Sequence, residues 1–417
     1  MTTMLHKVNI DPHMPSKFIL TALILLMGLA APNASAQKAY KPVKSALKDK
    51  KYAEAVKQVN NLRKDSVLKD EPQLAIFCIE AQRGLNDAEN MKLYLKRSYD
   101  TLALFSTTLQ IVKESVRLDS IERAREADGS GKRKNRRFVL EHIERYFPNL
   151  HAASRFLYAH GKFAEAMPYF ETCIELPRTV LGQEARLRQR AEAQNAALYL
   201  TSAYNSRQFN QVSRYDSLAL TDSASRMGVM QCLALTAEAQ ADTAAQHIWL
   251  SRGWEEYPHQ DFFFVRLADF YMQRQAYREV VSISQKQLQT DTLSIPALLA
   301  LCNASFHLED FNLCTSTAER LIATDSTNAE AYYYAGASQA ALANGVVLPD
   351  NINSSAYRKA LQQKKGYALK AEPWLEQFRA LAPNEQQRWA PLLYQVYLTL
   401  NRGSKFAEID KIINGKS

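Results

Sequence analysis

The stretch IPALLALCNASFHLEDFNLCTSTAERLIATDSTN, residues 295–328, contains one complete copy of the pattern that decides the fold. An apolar stripe with the 3.6-residue period of a helix is followed by a short polar break and a second apolar stripe. The pattern continues without a gap from Ala193 to about Asn344 when the chain is aligned in rows of 34 residues. A fixed period of this length predicts a repeated helix–turn–helix unit. The rows start at Ala193, Met227, Asp261, Ile295 and Ala329.

The columns of this alignment have a physical meaning. Small residues recur in the eighth column, as at Ala268, Cys302 and Gly336, and they allow two antiparallel helices to approach closely. An aromatic ring recurs where the second helix begins, as at Phe311. These columns resemble the tetratricopeptide repeat family, although Gln246 replaces the usual small residue at column twenty. The resemblance implies an all-α fold, a right-handed α-solenoid of about eight to nine helix–turn–helix repeats, two of them interrupted by insertions.

The resemblance also implies where a ligand binds, because members of this family usually bind ligands on the concave surface lined by their first helices. Here that surface is rich in aromatic, amide and methionine side chains, which bury area against an extended peptide while pairing with its backbone. The Lys and Arg arrangement with which some relatives bind a C-terminal carboxylate is absent. The alternative is a groove filled by a neighbouring helix. The predicted groove residues are Arg155, Tyr158, Tyr204, Asn205, Asp269, Met272, Gln273, Asn303, Phe306, His307 and Tyr333, together with His151 and Glu238.

The N-terminal segment, residues 1–36, has the features of a secretory signal peptide. An apolar run at 18–31 is too short to span a bilayer, and Ala34-Ser35-Ala36 provides a cleavage signal. We therefore expect an exported protein of the periplasm or the outer-membrane surface, translated from Met1 or Met14. The remaining chain divides into degenerate repeats at 37–100, an extra helix and a basic loop at 101–146, core repeats at 147–344, and an insertion with a C-terminal capping repeat at 345–417.

The formal net charge is +9, and one short segment concentrates positive charge. Export argues against nucleic acid as the partner. The segment is interpreted either as a solvated loop or as a handle for anionic lipid headgroups or glycans, so a peripheral contact with an anionic surface stays open. This basic loop contains Lys132, Arg133, Lys134, Arg136 and Arg137.

The five cysteines have no metal-binding spacing, and we predict neither a metal nor a cofactor. Their simplest interpretation is that of small apolar core residues. Cys302 and Cys314 occupy columns eight and twenty of one row, where the two helices meet. In an oxidising compartment this placement makes a disulfide geometrically plausible, and two free thiols are the alternative.

Aspartate followed by Ser or Thr and then by an apolar residue or Thr occurs at eight sites, which resembles the O-glycosylation sequon of exported proteins in some Gram-negative bacteria. Four of these sites, at Asp65, Asp100, Asp291 and Asp325, lie at row ends, where a turn or helix cap alone accounts for them. The remaining sites give Ser120, Ser217, Ser223 and Thr243 as candidate glycosylation sites.

The sequence contains none of the motifs HExxH, Gx4GK[ST], GxGxxG or GxSxG, and His142 is expected on a solvated helix face. We therefore predict a non-catalytic scaffold of the bacterial cell envelope that binds a protein or peptide partner. One alternative is a glycan-capturing protein associated with the outer membrane. The other is an adaptor for anionic headgroups or polymers that acts through the basic loop.

Overall fold

The structure is a computed structural model, and it describes residues 37–188 and 191–415. The predicted signal peptide lies outside these residues. Throughout the described ranges the chain is helical, with no β-strand. The chain forms two compact units, an N-terminal unit (Met1–Asp222) and a C-terminal unit (Ser223–Ser417). The boundary between them falls inside the predicted 147–344 repeat block.

The N-terminal unit is a series of antiparallel helices in which α1 to α6 each pack against the next, and α6 packs against α8. Two 3₁₀ segments, Leu176–Arg178 and Phe209–Tyr215, interrupt the series. Its α-helices are α1 (Lys41–Lys48), α2 (Tyr52–Leu62), α3 (Pro72–Tyr94), α4 (Thr101–Ala127), α5 (Arg136–Ala159), α6 (Phe163–Glu175), α7 (Val180–Glu184), α8 (Glu192–Asn205) and α9 (Asp216–Ala219).

The C-terminal unit is more regular, because every helix packs against the next one along the chain. In addition α12, α14 and α16 pack in succession, which places the first helices of consecutive repeats side by side. The helices are α10 (Arg226–Ala239), α11 (Thr243–Glu256), α12 (Asp261–Met272), α13 (Tyr277–Thr290), α14 (Ile295–His307), α15 (Phe311–Thr324), α16 (Ala329–Asn344), α17 (Ser355–Leu381), α18 (Gln386–Leu400) and α19 (Gly403–Asn414). The predicted all-α fold of stacked helix pairs is confirmed.

A left-handed residue ends the first helix of each regular pair. Arg207, Ala241, Gln275 and Glu309 all have φ between 55° and 60°, and successive positions differ by 34 residues. The amide that follows the left-handed residue then bonds back five residues, as from Asp310 to the Ser305 carbonyl at 2.9 Å. This cap satisfies carbonyls that the helix end would otherwise leave free. The polar break seen in the sequence is therefore a repeated turn of fixed geometry.

Close helix contacts explain the small residues in the eighth column. Ala268 and Cys302 are buried, and a Cβ added to Gly336 would lie 2.6 Å from the Leu375 side chain. Leu375 lies in the predicted C-terminal segment 345–417, and it is fully buried together with Phe378. The insertion itself consists of the connection 345–354 and an N-terminal extension of α17.

Three sequence expectations about local structure are wrong. The degenerate repeats expected at 37–100 lack a turn after the start of α3, because α3 continues as one helix through Gly84 to Tyr94. The second helix of the row that starts at Ala193 is a 3₁₀ segment followed by the single turn α9. His142 is buried rather than solvated, and its Nδ1–H donates to the Phe138 carbonyl at 2.6 Å. Burial is the main cause that lowers the pKa of this imidazole.

Candidate functional site

Two groups of predicted groove residues lie on neighbouring helices of the C-terminal unit. Asp269, Met272 and Gln273 follow the i, i+3, i+4 spacing on α12, so they share one face of that helix. The same columns of α14 carry an amide, a ring and an imidazole. Because α12 and α14 pack directly, the two groups form one surface. We call this surface the first-helix face; its residues are Asp269, Met272, Gln273, Asn303, Phe306 and His307.

The first-helix face combines exposed polar groups with half-buried apolar ones. Asp269, Gln273 and His307 are exposed, whereas Met272 and Phe306 are half-buried. Half-buried side chains of this kind are held in place and still offer area to a ligand.

Packing holds the ring and the imidazole of α14 in position. The Phe306 ring lies edge-on to Phe311 at 5.6 Å and to Tyr334 at 5.9 Å. The His307 ring stacks in parallel on Tyr277 with centroids 4.5 Å apart. Both side chains therefore present a fixed orientation, which lowers the entropy lost when a partner binds.

Asn303 supplies the polar feature of this face. Its amide oxygen is buried and has no hydrogen-bond partner among the described residues. An unsatisfied buried acceptor costs about 1–3 kcal/mol, so a ligand N–H that reaches it gains that free energy back. A peptide backbone carries such a donor at nearly every residue.

The C-terminal edge of this face is closed by α18. The Arg388 guanidinium lies 3.8 Å above the Tyr333 ring and forms two hydrogen bonds to Glu330, at 2.6 and 2.8 Å. The bond to Glu330 is the main cause that raises the pKa of Arg388. Tyr333 also packs against Phe378 at 5.2 Å. A neighbouring helix thus fills the predicted groove at this point, and the sequence did not identify Arg388.

The N-terminal edge is marked by an ion pair between consecutive first helices. Arg266 on α12 donates to Glu238 on α10 at 3.0 Å, and its guanidinium lies 4.9 Å from the Phe262 ring centroid. Glu238 was expected in the groove and lies instead at this rim contact.

Five of the predicted groove residues lie in the N-terminal unit, and three of them, Arg155, Tyr158 and Tyr204, contact other helical segments. The Tyr158 ring packs against Phe163 of α6 at 5.3 Å, and the Tyr204 ring lies 6.0 Å from Phe209. Arg155 on α5 donates to Gln194 at 2.8 Å and to Asn195 at 3.2 Å, both on α8. Asn205 is exposed.

A cavity of about 540 Å³ lies beside Arg155 in the N-terminal unit. Pro148 lies inside α5, and a proline has no N–H to donate to the carbonyl four residues earlier. The sequence analysis did not predict this cavity, which forms where the segment after α7 passes α5. Its lining includes Phe147, Pro148, His151, Arg155, Leu187 and Arg188.

The basic loop is tied to the rest of the N-terminal unit by carboxylates. Arg133 pairs with Asp119 on α4 at 2.6 Å, and Arg136 pairs with Glu184 on α7 at 2.5 Å. Arg137 pairs with Glu141 on its own helix at 2.8 Å. Lys132 and Lys134 are exposed. Three of the five predicted cations therefore already have intramolecular counterions, which weakens the case for this loop as an anion-binding handle.

Cys302 and Cys314 lie together between α14 and α15, as the register required, and both are buried free thiols in the structure. The Cys314 thiol donates to the Cys302 carbonyl at 3.3 Å. The hydrogen bond with Cys314 is the main cause that raises the pKa of the Cys302 thiol, and burial adds to it. Oxidation of this pair stays a prediction.

The candidate glycosylation sites Ser120, Ser217, Ser223 and Thr243 are all exposed, but some of the preceding aspartates have structural roles. Asp242 caps α11 by accepting a hydrogen bond from the Ala245 amide at 3.0 Å. Asp119 is buried in its ion pair with Arg133. Glycosylation itself stays a prediction.

Each row-end aspartate accepts a hydrogen bond from a backbone amide two residues later, as the turn explanation required. The acceptors are Asp65, Asp100, Asp291 and Asp325.

The chain matches no protein-family model and no curated protein. Among solved structures it is similar to the C-terminal part of a TPR repeat-containing protein from Cytophaga hutchinsonii, with 11% identity and a TM-score of 0.41. That similarity covers 62% of this chain and 92% of the other. It is also similar to the APC/C hetero-tetramer Cut9–Hcn1, with 12% identity, coverage of 91% and 77%, and a TM-score of 0.26. Similarity at this level carries no argument about partners. Its own 34-residue register and packed helix pairs make the chain an all-α helical repeat protein.

Proposed function

We propose that the chain is a non-catalytic scaffold whose first-helix face binds an extended segment of a partner protein. The observation that carries this proposal is the unpaired amide oxygen of Asn303 beside the half-exposed ring of Phe306. A peptide supplies both a backbone N–H for the amide and an apolar side chain for the ring. Met272, one repeat away on α12, extends the apolar contact, and a flexible thioether adapts to different side chains.

The two ends of the first-helix face support a short linear ligand. Arg388 covers Tyr333 at one end, and the Arg266–Glu238 pair marks the other. Between them only α12 and α14 offer the full set of groove columns. We therefore expect a ligand segment of a few residues in extended conformation, in which each residue spans about 3.3 Å.

The test begins with a randomised peptide library displayed on phage and selected against the chain from Gln37 onward. An enriched peptide is then titrated against the parent chain and the double variant Met272→Ala/Phe306→Ala. We expect the double variant to lose about tenfold or more in affinity, because half-buried apolar side chains dominate peptide binding energy. The matched control is Leu293→Ala, which removes a side chain that is 64% exposed and lies outside the face.

A second variant separates a binding defect from a folding defect. Gln273 is exposed, so Gln273→Ala leaves the core intact and should still lower affinity by a few-fold. Equal affinity of the parent chain and both face variants for every enriched peptide would contradict the proposal. Replacing the peptide by soluble polysaccharides in the same titration tests the glycan-capturing alternative.

We also propose that the protein acts in the bacterial cell envelope. The support is the apolar run at 18–31 and the small residues at 34–36. Mass spectrometry of the N-terminal peptide of the protein purified from cell fractions should show a chain that begins at Gln37, in an envelope fraction. An intact N-terminus in a cytosolic fraction would exclude this location.

A further inference from the structure

The end of α3 and the turn that leads to α4 contain ten consecutive exposed residues, 91–100. Large apolar side chains are concentrated there, and Tyr94 is 83% exposed. Contiguous exposed apolar groups on a folded protein usually mark an interaction surface. We call this surface the α3–α4 tip; its exposed apolar residues are Met91, Leu93, Tyr94, Leu95, Tyr99 and Leu102.

The α3–α4 tip is an ordered structure. Lys96 adopts a left-handed conformation with φ of 54°, and the Arg97 amide bonds back to the Lys92 carbonyl at 2.9 Å. The Glu89 carboxylate accepts a bond from the Asp100 amide at 2.8 Å, and Asp100 caps α4. The apolar side chains therefore remain exposed on a fixed support.

Both signs of charge lie beside the apolar side chains, with cations in excess within the segment itself. Segment 91–102 contains three cations, Lys92, Lys96 and Arg97, and one carboxylate, Asp100, which gives a net charge of +2 (3 − 1). The Asp100 carboxylate accepts hydrogen bonds from the Leu102 and Ala103 amides as the α4 cap.

A basic cavity adjoins the tip. Its volume is about 560 Å³, and its lining brings Lys92 together with His160 and Lys162. Tyr99 and Leu102 of the tip lie at the same cavity. The lining also includes Asp100, and Lys92 pairs with Glu89 at 2.6 Å. Lys162, just after α5, is therefore the lining lysine that offers its charge to a headgroup phosphate next to the apolar surface.

We propose that the α3–α4 tip attaches the protein peripherally to a bilayer surface that carries anionic headgroups. The leucine and methionine side chains enter the acyl boundary, and the two tyrosines lie at headgroup level, where aromatic rings are favoured. Lys96, Arg97 and the adjoining cavity contact the phosphates. No helix of the described residues is long and apolar enough to cross a membrane, so this contact is interfacial.

The test measures co-sedimentation of the chain from Gln37 onward with vesicles of phosphatidylethanolamine, with and without phosphatidylglycerol. This chain omits the apolar run at 18–31, which would itself bind lipid. Binding is expected only with phosphatidylglycerol. We expect Lys96→Glu/Arg97→Glu to lower the partition coefficient by about tenfold or more, since each basic residue near an anionic surface contributes about fivefold. Tyr94→Ser/Leu95→Ser should lower it by about tenfold.

Two control variants match these changes. Lys132→Glu/Lys134→Glu alters the net charge equally at the opposite end of α4, and Val347→Ser/Ile352→Ser removes apolar side chains that are 85% and 65% exposed in another connection. Both should bind within about twofold of the parent chain. The proposal is overturned by a parent chain that does not sediment, or by charge-reversed controls that lose as much binding as the tip variants. It is also overturned if the tip variants dissociate a dimer, seen by light scattering, while vesicle binding is unchanged.

Discussion

The regular pairs of the C-terminal unit and the α3–α4 hairpin of the N-terminal unit have similar apolar stripes but differ in their turns. In the regular pairs a left-handed residue, such as Ala241 or Gln275, ends the first helix after three to four turns. In α3, which follows Glu71, the position equivalent to these left-handed residues is Leu85. Leu85 lies inside the helix, which continues to Tyr94. The apolar stripe therefore specifies a helix, whereas the capped turn ends that helix and so creates the two-helix repeat unit.

A helix that extends beyond its neighbouring helix does not necessarily expose apolar side chains. The first half of α17 is also largely exposed, but its exposed side chains include Arg358, Lys359 and Lys365. The exposed end of α3 instead has the apolar side chains of Leu93 and Tyr94. This contrast sets the α3–α4 tip apart from an ordinary solvated helix end.

The largest difference in free energy of unfolding that we predict between the two units comes from breaking an ion pair in each. Arg63 makes two hydrogen bonds to the buried Glu114, at 2.9 and 2.5 Å, and so joins α2 to α4. Arg63→Met leaves that carboxylate buried without a counterion and should lower the free energy of unfolding by about 3 kcal/mol. Arg252→Met in the C-terminal unit breaks an exposed pair and should cost about 0.5 kcal/mol. Denaturant unfolding measures both, and Arg63→Met/Glu114→Leu should recover most of the loss. No recovery would show that the pair is not the cause.

Oxidation should strengthen the regular region. A disulfide between Cys302 and Cys314 closes a short loop, for which we expect about 2–3 kcal/mol of stabilisation in the chain-entropy account. Mass spectrometry of a non-reduced digest of the exported protein should show the 302–314 link, with Cys78, Cys173 and Cys232 free. A link from Cys302 to Cys232 would be incompatible with the observed helix pairing.

The two regions should differ in how well they tolerate a Cβ added to a glycine at a close helix contact. A Cβ at Gly253 of α11 would overlap the ring of Phe263, which is fully buried and has no room to move. Gly253→Ala should therefore destabilise by about 2 kcal/mol. A Cβ at Gly84 of α3 meets Tyr52, which is only half-buried and can rotate away. Gly84→Ala should be nearly neutral, because alanine also favours the helix by about 1 kcal/mol. Equal melting shifts for the two variants would contradict this distinction.

Acid should weaken the C-terminal unit through Glu256. Hydrogen bonds, first from Arg226, lower the pKa of this carboxyl to about 2. A lowered folded-state pKa contributes stability above the unfolded value, near 4.5, which is lost as the pH falls through about 2. Because solvent screens the pair, we expect about 1 kcal/mol. Unfolding of the parent chain and Glu256→Gln across this window should converge at the acid end. A difference that persists below about pH 2 would mean that titration is not responsible.

The smallest expected effects test the turn itself. Gln275→Gly and Glu309→Gly remove the strain between a left-handed backbone and its Cβ. We expect each to raise the free energy of unfolding by about 0.5 kcal/mol. Gly161, with φ of 69°, already has the favoured residue, so Gly161→Ala should lower it by about 1 kcal/mol. Thermal melting of the three variants decides the sign, and a stabilising Gly161→Ala would rule out this account of the turn.

The sequence alone predicted the regular region well. The rows that start at Asp261, Ile295 and Ala329 coincide with the first residues of α12, α14 and α16. The groove columns on α12 and α14 also emerged on one surface. Both results follow from local rules, because a helical stripe and its turn depend on residues that are three to five positions apart.

Only the tertiary structure decided which groups are free to act. Arg136 meets Glu184, and Arg388 meets Glu330, 58 residues away, so a predicted handle and part of a predicted groove are occupied from within the chain. The exposure of Tyr94 likewise depends on where the neighbours of α3 end. Periodicity identifies the face on which a side chain lies, but pairing and exposure depend on distant residues that come together only on folding.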